Sequence, residues 1–302
     1  MTAFSFKRNS AVYLVKGSAK WKIEIYPDLN FSQTFDQTGI KVKTLHSQLS
    51  LFEEASITKA NTANFNFTVL LVKGDDFNII GNWLVGVDDT LDTYDMYVST
   101  GADIFKLENA VLTRGTIQIV KDQLVTVAVT GEASKLTRFV GTIPGTLQSR
   151  DATLDPIIVR SMHIELNPDN TGLVTLPHIS GVTIELSNDV NWVPYENLHK
   201  SLYVTNASDS QSPEAFVVAG KVLSGTIQQY LTETTNSRLQ TWSTNSALRI
   251  RVGDGSAYYL DVDMSSVVFT NRLNVEDVFL QTYDFRMTNS PTNLGTILKY
   301  NL

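Results

Sequence analysis

Carboxylates stand in pairs at Glu53-Glu54 and Asp75-Asp76, and in a cluster at Asp88, Asp89, Asp92 and Asp95. Paired carboxylates could act as acid and base on one substrate, and a cluster of four could hold calcium. The first pair reads as a solvated loop and the second as a helix cap. The cluster lacks the alternating ligands and closing Glu of a calcium loop, so it reads as a solvated acidic turn. The histidines at 46, 163, 178 and 199 lack the close spacing of a metal pair such as HExxH. There is no GxSxG elbow, no GxxxxGK[ST] or GxGxxG loop, and no cysteine for a thiol nucleophile or thiolate zinc site. Gly253-Asp254-Gly255 reads as a hairpin turn. Of the tryptophans, Trp21 and Trp83 fit apolar core faces. Trp192 fits an exposed contact with a partner chain. No catalytic residue, cofactor or metal is expected, and an enzyme is the least favoured class.

The elements that would carry any site follow from periodicity. In Val111 to Thr130, Ile117 and Ile119 alternate before a polar break at Lys121-Asp122, and Val125, Val127 and Val129 alternate after it. That period of two predicts paired strands with one face buried. A weaker echo runs from Val267 to Phe285, with Glu276-Asp277 at the break, 277 − 122 = 155 residues on. The chain therefore reads as one β unit written twice. A length of 302 residues accommodates two domains: 1–140, a linker at 141–157 rich in Gly and Pro, and 158–302.

Taken in order, a hairpin is expected at Val12 to Ile25, turning at Lys16-Gly17-Ser18. Strands are expected at Ser32 to Phe35 and Ile40 to Leu45. His46 to Asn64 reads as a polar excursion without period, closed by a strand carrying Phe65, Phe67 and Val69. Phe77, Ile80 and Leu84 predict a short helix capped by Asp75 or Asp76 and stopped at Gly86. In the second half, strands are expected at Val159 to Leu166, Val182 to Leu186, Phe216 to Tyr230, Leu248 to Val252 and Tyr258 to Met264. Asn188 to Pro213 is a second excursion, with a short helix carrying Tyr195, Leu198 and Leu202; another helix fits Thr235 to Trp242. The class is all-β with one short helix per domain: two tandem sandwich or barrel units.

Charge narrows the partners. The formal net charge is −7, which argues against holding nucleic acid through a basic surface. The N-terminal MTAFSFKRNS lacks a signal peptide's apolar core, and no apolar run reaches the ~18 residues that suggest a membrane helix. A soluble product made in the cytoplasm, with no membrane partner, is the expectation.

Four stretches resemble the tail tube proteins of long, non-contractile bacteriophage tails, in the form that fuses two tube domains. They are Arg8 to Val15 as first strand, the excursion ending in FNFTVLL at Phe65 to Leu71, the helix at Asp76 to Leu84, and the closing strand pairs Val111 to Thr130 and Val267 to Phe285. The resemblance implies a virion protein whose inner strands form a channel-lining barrel on oligomerisation. Three chains would make a pseudo-hexameric ring, and rings would stack around a tape-measure protein, with tail terminator and baseplate proteins at the ends. Double-stranded DNA would pass without specific binding during genome ejection. The first excursion would contact the next ring through Leu49, Leu51, Phe52, Glu53, Glu54, Ile57 and Lys59. On the second, Trp192 and Tyr195 are the candidate contacts. The alternatives are a tail terminator or baseplate ring protein of the same fold, or a carbohydrate-binding β-sandwich of a tail fibre.

Overall fold

Gly17 sits at φ 60°, which a glycine adopts without strain, and reverses the chain between β1 (Ala11–Lys16) and β2 (Ala19–Ile23). The structure is a computed structural model that describes residues 10–42, 50–71, 76–86, 90–101, 103–148, 158–167, 174–192, 212–213, 215–232, 246–253, 258–275, 278–288 and 298–300. The first half continues with β3 (Asn30–Ser32), β4 (Phe35–Val42), β5 (Ser50–Ala60), β6 (Ala63–Leu70), α1 (Asp76–Val85), β7 (Tyr94–Ser99), β8 (Ile104–Val120), β9 (Thr126–Ala133), β10 (Lys135–Phe139) and β11 (Thr146–Leu147). The second half holds β12 (Ser161–Asn167), β13 (Val174–Thr175), β14 (Ile179–Trp192), β15 (Phe216–Tyr230), β16 (Ser246–Gly253), β17 (Tyr258–Val275), β18 (Phe279–Met287) and β19 (Leu298–Tyr300). The fold is all-β with one short helix among the described residues.

β8 is long enough to serve two layers. Its first part pairs with β7 and β10; its second part pairs with β9 on one edge and β14 on the other. The core lies between the layers: Val12, Leu14, Met96, Val98 and Leu107 from one, Phe65, Phe67, Ile117 and Val127 from the other. α1 closes it. Trp83 is fully buried, stacks on Phe65 at 5.6 Å between ring centroids, and donates its indole N–H to Ala110 O at 2.9 Å.

The second half repeats these connections in chain order. β1–β2, β1–β7, β7–β8, β8–β10, β8–β9, β6–β9 and β3–β6 are matched by β12–β13, β12–β16, β16–β17, β17–β19, β17–β18, β15–β18 and β14–β15, all antiparallel. Side chains fix the correspondence. Phe65 lies opposite Gly131 in β6–β9, and Gly225 lies opposite Phe285 in β15–β18. Each ring occupies the space its glycine leaves: a Cβ on Gly131 would meet Phe65 Cζ at 2.3 Å, and one on Gly225 would meet Phe285 Cζ at 2.5 Å. The next backbone bond also recurs, Leu71 N to Val125 O and Leu231 N to Phe279 O.

Hence Val125 corresponds to Phe279 (279 − 125 = 154), and register carries Ile117 to Leu273 (273 − 117 = 156). A spacing of 155 is not the register of this strand pair, because the second hairpin is two residues tighter. At that spacing buried Ile117 would fall on exposed Arg272.

The two halves join through β8 and β14, with seven residue pairs from Gly181↔Val120 to Ser187↔Arg114. The core row therefore runs unbroken across the seam: Val69, Val127, Ile117, Ile184, Gly225, Phe285, Phe269. A second bond set anchors the seam to α1. Gly86, at φ 62°, ends the helix. Buried Asn188 of β14 donates to Leu84 O at 2.8 Å and to Leu112 O at 2.9 Å. Buried Lys221 of β15 donates to Val85 O at 3.1 Å and Thr90 O at 3.0 Å. A cation at a helix C-terminus meets the negative end of its dipole and the carbonyls that the last turn leaves unpaired.

Several expectations are corrected. Of the expected excursion His46 to Asn64, residues 46–49 lie outside the described residues, and Ser50 to Ala60 is regular: β5 pairs with β4 from Phe35↔Ala60 to Val42↔Ser50 as a separate two-stranded ribbon. Backbone pairing holds such a ribbon, so its sequence needs no alternation. Lys135 to Phe139, for which no strand is expected from sequence, forms β10 and pairs with the first part of β8. β7 was hidden by the acidic residues before it. Asn188 to Trp192 extends β14 and is not loop. The expected helices at 194–202 and 235–242 lie outside the described residues.

Lys221→Met is expected to lower stability by about 1–3 kcal/mol, because it strips the partner from buried carbonyls. Thermal denaturation would show the loss, and hydrogen exchange would localise it to the Gly86 amide at the end of α1. Unchanged protection there would mean the seam does not depend on this clamp.

Candidate functional site: the open face of the joined sheet

Eight strands form one continuous sheet in the order β3, β6, β9, β8, β14, β15, β18, β17. One face packs on the core, and the alternate residues face the other way. Register lays them out in rows. One runs Leu70, Thr126, Gln118, Thr183, Thr226, Asp284, Thr270. Its neighbour runs Thr68, Ala128, Thr116, Glu185, Ser224, Arg286, Val268. None of these residues is buried. Short hydroxyl and amide side chains dominate, and β-branched threonine suits both the strand backbone and a wet surface.

Charges on this face are largely paired. Arg114 bonds Glu185 at 2.7 Å across the seam between halves. Arg272 bonds Asp284 at 2.8 Å in the second half. Such a surface offers hydroxyls and amides but little net cationic charge. It can carry hydration water and cannot neutralise a run of phosphates.

Two residues of the acidic cluster have structural partners. Asp92 bonds Lys16 at 2.8 Å and Asp95 bonds Lys106 at 3.0 Å. Asp88 and Asp89 lie outside the described residues. No group of metal-ligating side chains occurs among the described residues. His163 lies 3.2 Å from Glu165 on β12. His178 is a backbone corner at φ 57° whose carbonyl accepts from Tyr230 N.

Of the expected contact residues, Leu51, Phe52, Glu53, Glu54, Ile57 and Lys59 share one strand, β5. Leu49 and Tyr195 lie outside the described residues. Trp192 is half-buried at the end of β14, with its ring 5.2 Å from that of Phe216. It belongs to the joined sheet and not to the ribbon that carries the others. Beside it on β9, burial pushes the Glu132 carboxyl above the usual carboxylate range. The nearby Trp192 indole N–H lowers it in part, short of a direct hydrogen bond. Sequence reasoning missed the threonine rows, Asn188 and Lys221, none of which stands in a local motif.

A polar, charge-paired sheet that runs through both halves is a wall rather than a pocket. A family model described as the bacteriophage baseplate tube protein family matches residues 2–301. The chain belongs to that family. No curated protein matched the sequence. As a member of the baseplate tube protein family, the protein is a structural component of the phage tail and of the virion, and assembles with other tail and baseplate components. The match supports a tail or baseplate tube protein in general and does not single out the repeating tube of long non-contractile tails. No helix among the described residues is long and apolar enough to cross a membrane.

Glu132 gives a test of the face's electrostatics. With its folded-state pKa raised, the native protein holds the proton more tightly than the unfolded chain. The stability that follows is present below the ordinary carboxylate pKa and lost as pH rises through the raised value. Glu132→Gln is therefore expected to melt about 1–2 °C above the wild type at pH 7 and level with it near pH 4. A variant that melts lower at pH 7 would show the carboxylate to be stabilising.

Proposed function

We propose that the chain is a non-enzymatic wall protein of the phage tail tube, and that three copies close into a ring of six like units around a channel through which the genome leaves. The observation that carries this reading is the β8–β14 seam. Two units with the same seven strand pairings already meet edge to edge within one chain. The joined sheet ends at β3 on one side and at residues 268–275 of β17 on the other. Among the described residues, β3 pairs with β6 alone and that stretch of β17 with β18 alone. An open strand edge invites another strand, and a closed ring removes the edges. The two units are quasi-equivalent domains, residues 1–140 and 158–302, joined by 141–157.

The threonine rows face the channel in this arrangement. A cationic wall would bind DNA and arrest it; a hydrated wall with paired charges lets it slide. Stacked rings would enclose a tape-measure protein, with terminator and baseplate proteins at the ends, and the β4–β5 ribbon is placed to reach the neighbouring ring. The family description favours a second form of the same reading. In it the chain makes a ring within the baseplate, joining the tube to the tail tip rather than repeating along its length.

Negative-stain electron microscopy and analytical ultracentrifugation of the purified protein separate the two. Stacked cylinders of three-chain rings are expected for the repeating tube, and single three-chain rings for the baseplate form. Monomers at every concentration, or rings of another order, would remove the ring reading altogether.

A further inference from the structure

The hairpin tips of the two halves are treated differently. In the first half, Ile117, Ile119 and Val125 are buried. They are covered from the other half, by the segment that leads into β12. Val159 is fully buried there, Leu124 bridges Ile158, Asp122 N donates to Val159 O and Val159 N donates to Gln123 O at 3.0 Å. In the second half the corresponding apolar residues are bare. Leu273 is 38%, Val275 67% and Phe279 53% exposed, with Val278 beside them. A patch of this kind on an otherwise polar sheet marks an interaction site. Its chemistry is that of a core face without its cover.

We infer that this patch and the adjoining edge of β17 receive β3 of a second copy of the chain. The inference rests on the ring reading and specifies its seam. Register fixes the match. Within the chain, Thr183, Ile184 and Glu185 of β14 lie opposite Gln118, Ile117 and Thr116. Those β14 residues lie opposite Thr226, Gly225 and Ser224, which correspond to Asn66, Phe65 and Asn64. Asn30, Phe31 and Ser32 therefore hold the place of Thr183, Ile184 and Glu185. Carried across, Phe31 of one copy lies opposite Leu273 of the next, and Asn30 opposite Asn274.

The chain has no cysteine, so introduced pairs report cleanly. Residues directly opposite on antiparallel strands are close enough for a disulfide. Gln118→Cys with Thr183→Cys, at the existing seam, is the intramolecular control. Asn30→Cys with Asn274→Cys tests the proposed seam. Both positions are exposed, so folding should be kept, as circular dichroism would verify. Under mild oxidation the test pair is expected to give covalent closed trimers on non-reducing gels. Asn30→Cys with Thr270→Cys, out of register on the same face, should stay at least tenfold less linked. Val275→Asp with Phe279→Ser should keep the wild-type melting curve and abolish the rings. Rings that form normally in that variant, or a test pair no better linked than the out-of-register pair, would overturn this seam and leave the ring reading standing. A wild-type chain that never associates would overturn both.

Discussion

A sheet edge is a row of backbone donors and acceptors that needs either water or another strand. The chain resolves this at its centre by pairing the second part of β8 on both sides, with β9 from its own half and β14 from the other. Everything else in the sheet is placed by that choice. β14 sets the register of β15, β15 that of β18, and β18 that of β17. Because side chains alternate, one register also decides which residues enter the core and which face out. A slip of one residue at the seam would turn Ile184 and Leu186 outward and bring Thr183 and Glu185 in.

Backbone bonds alone permit such slips, so the seam needs a fixed point. α1 supplies it. The helix stops at Gly86 with its last carbonyls pointing toward the second half, where Asn188 and Lys221 accept the role of cap. These bonds form in one register only. A buried lysine is expensive to desolvate unless its donors are matched. Here the matching acceptors lie in the other half, so the cost of burying it enforces the union of the two. The Phe–Gly exchange at residues 65 and 131, and at 225 and 285, adds a steric lock in each half, with the large residue moved to the opposite strand.

What could be read in the sequence was what repeats locally. The alternation of Ile117, Ile119, Val125 and Val127 located β8 and β9, and β15 was placed at its actual ends because Phe216 to Tyr230 is strand throughout. α1 followed from Ile80, Leu84 and Gly86. Local signals failed where neighbours decide. Leu51 and Phe52 are adjacent, which hides the strand β5, and Gly141, Pro144 and Gly145 drew attention from β10 just before them. Thr126, Thr183 and Thr226 carry no motif; they become a row only after β9, β8, β14 and β15 have been aligned. Lys221 and Asn188 read as surface residues until the helix they cap, more than a hundred residues earlier, is placed beside them.

The unequal tips bear on how such a chain avoids aggregating before it assembles. A bare apolar tip beside an open edge is the arrangement that proteins ordinarily suppress. The first half suppresses it with residues 158–160, which the connection between halves delivers at high effective concentration. Among the described residues no segment covers the second tip in the same way, and Leu273, Val275 and Phe279 stay exposed. Fusing two units thus halves the number of exposed seams per unit while leaving the remaining one intact. In the proposed ring, three such chains would have three seams to close where six separate units would have six. The entropic cost of association falls accordingly, and the order of units around the ring is set in advance. On the proposed reading a duplicated chain is a partly assembled ring: the polar face of its sheet is already continuous across the β8–β14 seam within one chain.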